Sequence, residues 1–579
     1  MKNIFFLNDK SDYKFFINND DKNNYFYPLN FKIFIYLNKK KIRNVIRPSS
    51  RESDLEKSII TLKRIEEKIE NSNFFKSNLN EIEKETFLNL LHVTLSSCLE
   101  TYYNIYQYKN IEKFYLRYDS KLHQSNNFDE IFKYISRYNI KYIENLHNLS
   151  EKNINKNFFF HKFINKIIFN KNNLKSCYLF STNRYGFDKI IEYLKNNYQN
   201  IKIYKITPFS RYQIMANIVK FILRKEKSIL DINFNTSKVV IDDLKIHQIL
   251  NDVDEHVFKL IKDNLFSLLK RGVLYTASKY QSSKNILKII KPTKIFLHHI
   301  RWYENLAVAY VANNMNIPVY LISHGSTPYN NNENVSYILK KHANGMSFSK
   351  FANFSVSLSP VSEKIINYNI NNTKILRLNF LKIKNKNIYQ NHRSINEIII
   401  LHAGTYKNYS PRLWIYENVY EYIVGLKNLI NVVKNYKNVK LIIRVRGDQL
   451  SPQHEIINLL PKYKNIEFKI DGDFYYDLNR ANLLVTYFST TAEEAISIKK
   501  PVLLFGGTDR YKQIEGYNLL PDKNNSYPVY TASQTNLRNT LDSILKYHKQ
   551  EHINDKEYKK LSWVNDFNNL NILFSSYEK

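Results

Sequence analysis

The sequence predicts an α/β protein: two doubly wound units facing across a cleft, preceded by a mainly helical region. Three observations carry that expectation. From about residue 173 onward, short continuous apolar runs alternate with amphipathic helical segments, the texture of a parallel sheet covered on both faces. The alternation starts afresh near residue 396. And 579 residues exceed what one core holds, since single cores stop growing at roughly 250–300 residues. The expected boundaries are 1–170 for the helical accessory region, 171–385 for the first unit and 386–579 for the second.

In the accessory region, "ESDLEKSIITLKRIEEKIENS" sets Leu55, Ile59, Leu62, Ile65 and Ile69 three and four apart, which predicts one helical face. "EIEKETFLNLLHVTLSSCLETYYNIYQY" predicts a second helix. The pattern does not choose between an accessory domain, an oligomerisation surface and a membrane-docking surface. In the first unit "SCYLFST" (176–182), "IKIYKIT" (201–207), "KIFLHH" (294–299), "PVYLIS" (318–323) and "FSVSLS" (354–359) read as strands. "FDKIIEYLKNNY" and "ENLAVAYVANNM" read as helices, and the stretch from 208 to about 290 as mostly helical. In the second unit "EIIILHAG", "VKLIIRVRG", "IEFKI", "NLLVTYFS" and "PVLLFGG" read as strands. Between and after them, "VYEYIVGLKNLINVVKNY", "FYYDLNRA", "TAEEAISIK" and "NLRNTLDSILKYH" read as helices.

A formal charge of +33 fits an anionic partner, and equally a compositional drift toward Lys, Asn, Ile, Tyr and Phe. Nucleic acid is not expected, because no zinc-finger, RNA-recognition or basic-zipper signature is present. Cys98 and Cys177 make neither a disulfide framework nor a metal spacing, which suits a reducing cytoplasm. The start, "MKNIFFLNDK", carries an apolar patch too short for a signal-peptide core. No run approaches the roughly 18–20 apolar residues of a membrane span. The expectation is a cytoplasmic chain, with a peripheral place on the inner face of the plasma membrane left open.

Open parallel sheets bind ligands beyond the carboxyl ends of their strands. The residues following the strands of the first unit are therefore ligand-site candidates: Asn183 and Arg184, then His299, Arg301 and Glu304, then His324, Gly325 and Ser326. In the second unit they are Gly404 and Thr405, Arg444 and Arg446, and Ser489, Thr490 and Thr491, with Glu494 close behind. Hydroxyls and unpaired N–H groups at the start of "TAEEAISIK" suit a phosphate. A plain N-cap fits Ser489 or Thr490 as well. Glu493 and Glu494 fit first-turn acids favoured by the helix dipole, and Glu494 also fits an acceptor of ribose hydroxyl bonds. His298 and His299 invite a metal reading, but neighbours on a strand point to opposite faces and no third ligand is spaced nearby, so no metal is expected. Only 11 residues are glycine, so Gly325 is expected where a side chain cannot sit, either for close approach or for a positive φ.

"EEAISIKKPVLLFG" resembles the nucleotide-sugar end of GT-B glycosyltransferases, where a Glu-Ala pair precedes a Pro-Val strand. "NRANLLVTYFSTTAEEA" resembles the segment of bacterial surface-polysaccharide transferases that brings Ser/Thr to the donor phosphates. "PVYLISHGSTP" is similar to the His-Gly element of capsule, Kdo-type and glycerophosphate-type transferases. The resemblance spans roughly 175–545 and implies a GT-B-like fold. It implies donor ribose on Glu494, donor phosphates on Ser489 and Thr490, and charge neutralisation by Arg444 and Arg446. Retaining members commonly carry an acid eight residues before this Glu; here that position is Thr486, which favours inversion. The Gly-rich loop after the first strand is reduced to "NRYGF". An inverting transfer needs a base for the acceptor hydroxyl. His324 titrates near neutrality and Glu304 competes for the part, while a structural histidine and a helix-start acid remain the plain alternatives.

The expected function is transfer of a sugar from a nucleotide-activated donor to a surface-polysaccharide or lipid-linked acceptor in capsule or lipopolysaccharide assembly. No cofactor is expected beyond the nucleotide sugar, whose nucleotide the sequence leaves unknown. An anionic membrane surface stays open as a further partner, and so does the oligomeric state. Three alternatives stand beside this: a polyol-phosphate transferase of the glycerophosphate type, a nucleotide-sugar epimerase of the same fold, and a non-catalytic binding scaffold.

Overall fold

The computed structural model describes residues 3–7, 10–16, 24–28, 31–42, 44–46, 52–106, 113–118, 140–144, 176–181, 187–198, 201–207, 227–230, 276, 279–280, 283–301, 303–323, 325, 332–367, 373–379, 397–404, 406–407, 417–445, 453–508, 514, 516–563 and 570–574. Two large parallel sheets dominate it, as expected.

The first unit holds β5 (Ser176–Phe180), β6 (Ile201–Thr207), β7 (Lys227–Leu230), β8 (Lys294–Leu297), β9 (Val319–Ile322), β10 (Phe354–Ser357) and β11 (Lys374–Arg377). Their spatial order is β11-β10-β9-β8-β5-β6-β7, all parallel. Because side chains alternate along a strand, both faces of this sheet are apolar. Leu179, Ile295, Leu297, Val319 and Leu321 form one core, and Tyr178, Phe180, Phe296, Tyr320, Ile322 and Val356 the other. β7 lies in a stretch expected to be helical.

The second unit holds β12 (Ile398–Ala403), β15 (Val439–Arg444), β16 (Ile466–Lys469), β17 (Leu483–Thr486), β18 (Val502–Leu504) and β19 (Val529–Thr531). Their order is β16-β15-β12-β17-β18-β19, again all parallel. A two-stranded pair, β13 (Tyr406–Lys407) with β14 (Glu417–Asn418), lies beside it. Ile400, Leu441, Leu483 and Val485 pack on the helix Val419–Val433, while Leu401, Ile442, Leu484 and Val502 pack on Thr491–Ser497. Each such buried side chain stabilises the fold by about 1.5–3 kcal/mol. The helix Val419–Val433 starts on a capping box, Asn418 accepting from the N–H of Glu421 while Glu421 accepts from that of Asn418.

The N-terminal region is helical in its middle: α3 (Glu52–Asn71) and α4 (Glu81–Tyr106) follow α1 (Lys10–Phe16) and α2 (Phe31–Lys39). It also contains a four-stranded parallel sheet the sequence reading did not expect: β1 (Asn3–Leu7), β2 (Asn24–Pro28), β3 (Lys113–Tyr118) and β4 (Ile140–Glu144), ordered β2-β1-β3-β4. "NIFFL" is a central strand of that sheet. The region spans both large units. Phe34 of α2 stands edge-on to Tyr420 at 4.5 Å, whereas Ile82 of α4 joins the first unit's core. The chain's last described segment also returns to the first unit, where Phe574 meets Tyr178 at 5.5 Å.

Candidate functional site

Both sheets have a point where the strand order reverses. Numbered within each unit, both run 3-2-1-4-5-6, the first with one extra strand. In such sheets the crevice lies between the first and fourth strands, beyond their carboxyl ends. That places it between β12 and β17 in the second unit and between β5 and β8 in the first.

At the second crevice β12 ends at Ala403, and Gly404 follows with His402 and Tyr422 against it. A Cβ on Gly404 would stand 3.2 Å from His402 Cε1 and 3.3 Å from Tyr422 Cε2. β17 runs into half-buried Ser489, Thr490 and Thr491. The Thr491 hydroxyl donates to the Ala403 carbonyl at 3.3 Å, tying the two strand ends together, and the Thr491 N–H donates to Ser489 Oγ at 3.3 Å. Thr490, at the N-cap position, makes no capping bond with its side chain. Glu494 accepts from the Tyr475 hydroxyl at 3.1 Å. Burial and that carboxylate push the Tyr475 phenol well above its ordinary range, so it stays a donor at neutral pH.

Arg444, ending β15, is already engaged. It binds the buried carboxylate of Asp477 and donates from Nη2 to the Gly472 carbonyl at 2.7 Å, while Lys469 reaches the same Asp477 at 2.7 Å. Lys469 also meets Glu467 at 3.5 Å, so carboxylates match the two cations here. Gly472, at φ +86°, is in the left-handed region that glycine tolerates best. These residues, with His454, Asp471 and Tyr476, line a cavity of ≈ 590 Å³ at the ends of β15 and β16, within the about 300–1,000 Å³ typical of ligand sites.

At the first crevice, Ser181 follows β5 and His298 follows β8. The Ser181 hydroxyl lies 2.8 Å from His298 Nδ1 and accepts from the His298 backbone N–H at 3.1 Å. β8 ends before the histidines, and the rings of His298 and His299 pack edge to face at 4.2 Å. They are neighbours rather than residues on opposite faces, because the alternation of a strand no longer applies there. Glu304 lies in the first turn of the helix Tyr303–Asn314, one-third exposed, with the buried ammonium of Lys279 at 3.8 Å. His299 Nδ1 is 3.4 Å from Asn305 Nδ2. Arg301 is fully buried. Its guanidinium reaches His342 Nδ1 at 3.2 Å, and its backbone is overlain by Gly345 at φ +72°. That position makes Arg301 a packing and hydrogen-bonding residue of the unit's interior.

The carboxyl edges of the two sheets meet. Gly325, beyond β9, faces Thr490 so closely that an added Cβ would overlap Thr490 Cγ2 and stand 2.9 Å from its Cβ. Close approach to Thr490 is what calls for glycine here. Beyond β10, the Ser359 hydroxyl donates to Glu493, a carboxylate only 1% exposed. Sequence reasoning saw Glu493 as a helix-start acid and did not single out Ser181, Lys279 or Ser359. Ser181 and Ser359 each follow a strand, so the rule that found the others applied to them too.

His324, Ser326, Thr405, Arg446, Asn183 and Arg184 lie outside the described residues. Among the described residues no group of three or more His, Cys, Asp or Glu side chains could hold a metal, and no helix is long and apolar enough to cross a membrane.

No protein-family model matches the chain, and no curated protein matches it in sequence. Solved structures of similar shape include a UDP-GlcNAc 2-epimerase from Neisseria meningitidis bound to UDP-GlcNAc (13% identity, TM-score 0.37, 69% of this chain and 98% of that one). MurG of Acinetobacter baumannii is another (9%, 0.36, 69% and 98%). A variant of the wall teichoic acid polymerase TagF is a third (12%, 0.38, 78% and 96%). At such scores the likeness carries no argument; the fold rests on the two strand orders.

Proposed function

We propose that the chain is a glycosyltransferase that moves a sugar from a nucleotide-activated donor to a surface-polysaccharide or lipid-linked acceptor, with inversion and without a metal. The observation that carries this reading is that the carboxyl edges of the two sheets meet, Gly325 beyond β9 lying against Thr490 and Ser359 beyond β10 against Glu493. One crevice holds the donor and the other the acceptor, and the reacting atoms lie between them.

On the donor side, Glu494 takes the ribose hydroxyls, with Tyr475 holding one of its oxygens. Ser489 and Thr490 offer hydroxyls to the phosphates, while Thr491 ties the strand ends beneath them through Ala403. Arg444, held at the end of β15 by Asp477, and Arg446 supply positive charge toward the phosphates. On the acceptor side, a base removes the hydroxyl proton as that oxygen attacks the anomeric carbon. The bond from that carbon to the nucleotide oxygen breaks, and its electron pair leaves with the phosphate. Glu304, partly exposed and with Lys279 beside it, is one base candidate; His324 is the other. The basic surface supports a place at an anionic membrane, where each Lys close to the surface contributes about 1 kcal/mol.

The test is donor consumption with the product weighed. A product heavier than the acceptor by one glycosyl residue supports the reading. A mass increase of one polyol phosphate supports the glycerophosphate-type alternative. Conversion of the nucleotide sugar to an isomer without acceptor overturns transfer in favour of epimerisation.

A further inference from the structure

The cavity of ≈ 590 Å³ at the carboxyl ends of β15 and β16 lies beside the donor crevice rather than in it. In the strand order β16-β15-β12-β17, the two are separated by two strand spacings, about 10 Å. A nucleotide reaches about that far from its phosphates to its base. The side that holds the ribose leads to the same place: Tyr475, bonded to Glu494, is followed by Tyr476, which lines the cavity. Most charges around the cavity are matched. Arg444 and Lys469 pair with Asp477, Lys440 and Lys469 pair with Glu467, and Asp473 accepts the N–H of Tyr475 at 2.9 Å. Asp471 also lines the cavity; it is exposed and has no hydrogen bond or ion pair among the described residues. Tyr476 is 37% exposed, with the Arg480 guanidinium 5.2 Å from its ring centroid. Matched cations, an aromatic ring and an unpaired carboxylate suit a flat, uncharged group with N–H donors, not a further phosphate.

We infer that this cavity takes the base of the donor nucleotide and that Asp471 selects guanine. Guanine sets two donors, N1–H and the N2 amino group, side by side on one edge, and the two oxygens of a single carboxylate accept both. Uracil offers one N–H between two carbonyls. Cytosine and adenine place a ring acceptor next to their amino group. Each of those three turns a lone pair toward the carboxylate, which is repulsive. Tyr476 supplies a surface for the flat face of the base. The inference deepens the proposed transfer by making the donor a guanosine diphosphate sugar. It rests on that reading in taking the phosphates to Ser489 and Thr490 and the ribose to Glu494.

The experiment titrates the full chain and its Asp471→Asn variant calorimetrically with GDP, UDP, CDP, CMP, inosine diphosphate and xanthosine diphosphate. Asp471 is exposed and unpaired among the described residues, so the substitution leaves the fold intact. The parent binds GDP tightest of the six, and inosine diphosphate, which lacks the N2 amino group, about 10-fold more weakly. Asp471→Asn loses about 10- to 100-fold in GDP affinity. It gains about 10-fold for xanthosine diphosphate, whose C2 carbonyl accepts from the new amide where guanine carries its amino group. A purely structural role for Asp471 would not exchange one base for the other. Parental GDP affinity in Asp471→Asn overturns the inference, and so does a loss for GDP without a gain for xanthosine diphosphate. Tighter binding of UDP, CDP or CMP than of GDP overturns it while leaving the transferase reading in place. Failure of every nucleotide to bind overturns both. If GDP binds through Asp471 but no sugar is transferred from GDP-sugars, the transferase reading fails and the guanine site stands.

Discussion

Replacing Glu66 with alanine should destabilise the first unit through a buried charge network that joins it to the N-terminal helices. Glu66 on α3 is 1% exposed. It accepts from His92 Nδ1 of α4 at 2.8 Å and from the Tyr337 hydroxyl at 2.7 Å, and Lys341 Nζ stands 3.7 Å away. Tyr337 and Lys341 belong to the helix Glu333–Ala343, so one carboxylate ties α3 and α4 to the first large sheet's cover. Removing it leaves a buried imidazole and a phenol without an acceptor and strips Lys341 of one of its two carboxylates, the other being Glu70. Breaking a buried pair from one side costs about 3–5 kcal/mol. Burial alone would raise the Glu66 carboxyl, but His92, Lys341 and Tyr337 outweigh it and hold it below 4.5. Its stabilising effect is therefore complete above pH 4.5 and is lost as pH falls through the lowered folded value. His92, pushed below 6.5 by burial against the pull of Glu66, also resists protonation, so folding weakens as pH drops below 6.5. Urea titrations from pH 8 to 4 on both proteins test this. The parent loses stability from about pH 6.5 downward and more steeply below 4.5; Glu66→Ala starts about 3–5 kcal/mol lower and lacks the Glu66 share of the acid limb. A variant within about 1 kcal/mol of the parent at pH 8, or one with the same slope below 4.5, would refute the reasoning.

Three further outcomes are expected. Gly325→Ala drives a methyl into Thr490, costing about 1–3 kcal/mol; adding Thr490→Ala removes the overlapping methyl and restores part of the melting temperature. A double variant no more stable than Gly325→Ala would contradict the contact. Glu304→Gln lowers turnover on the order of 10²–10⁴-fold with donor affinity kept, and a parental rate measured by nucleotide release would remove Glu304 as the base. Asp477→Ala leaves Arg444 and Lys469 without their buried carboxylate, which costs about 3–5 kcal/mol by urea unfolding; a parental midpoint would show that the cluster is not coupled.

The two large sheets were legible because "KIFL", "PVYLI", "EIIILHA" and "NLLVT" are continuous apolar runs, which is what burial on both faces demands. The N-terminal sheet was not. "NIFFL" and "NYFYP" are five residues each, and two long helices separate them from "KFYLRY", so nothing local announces their pairing. Strand-end reasoning picked out Thr491, Glu494 and Glu304, and the structure sets them in the first turns of the helices after β17 and β8, since position along a strand is written in the pattern. It placed Arg301 beside them as well, although that guanidinium is turned inward to His342. What an end residue touches is set by other chains of contact. The need for glycine at 325 comes from Thr490, and the partner of Glu493 is Ser359, 134 residues earlier. Neither relation leaves a periodic trace.

A thermal-shift screen of the full chain against UDP, GDP, CMP, CDP and their sugar conjugates, with Glu494→Ala in parallel, tests nucleotide-sugar use most directly. One nucleotide class should stabilise the parent, by about 2.7 kcal/mol at a hundred times its Kd, and the shift should largely vanish in Glu494→Ala. No shift with any of them, or an equal shift in the variant, would contradict the account.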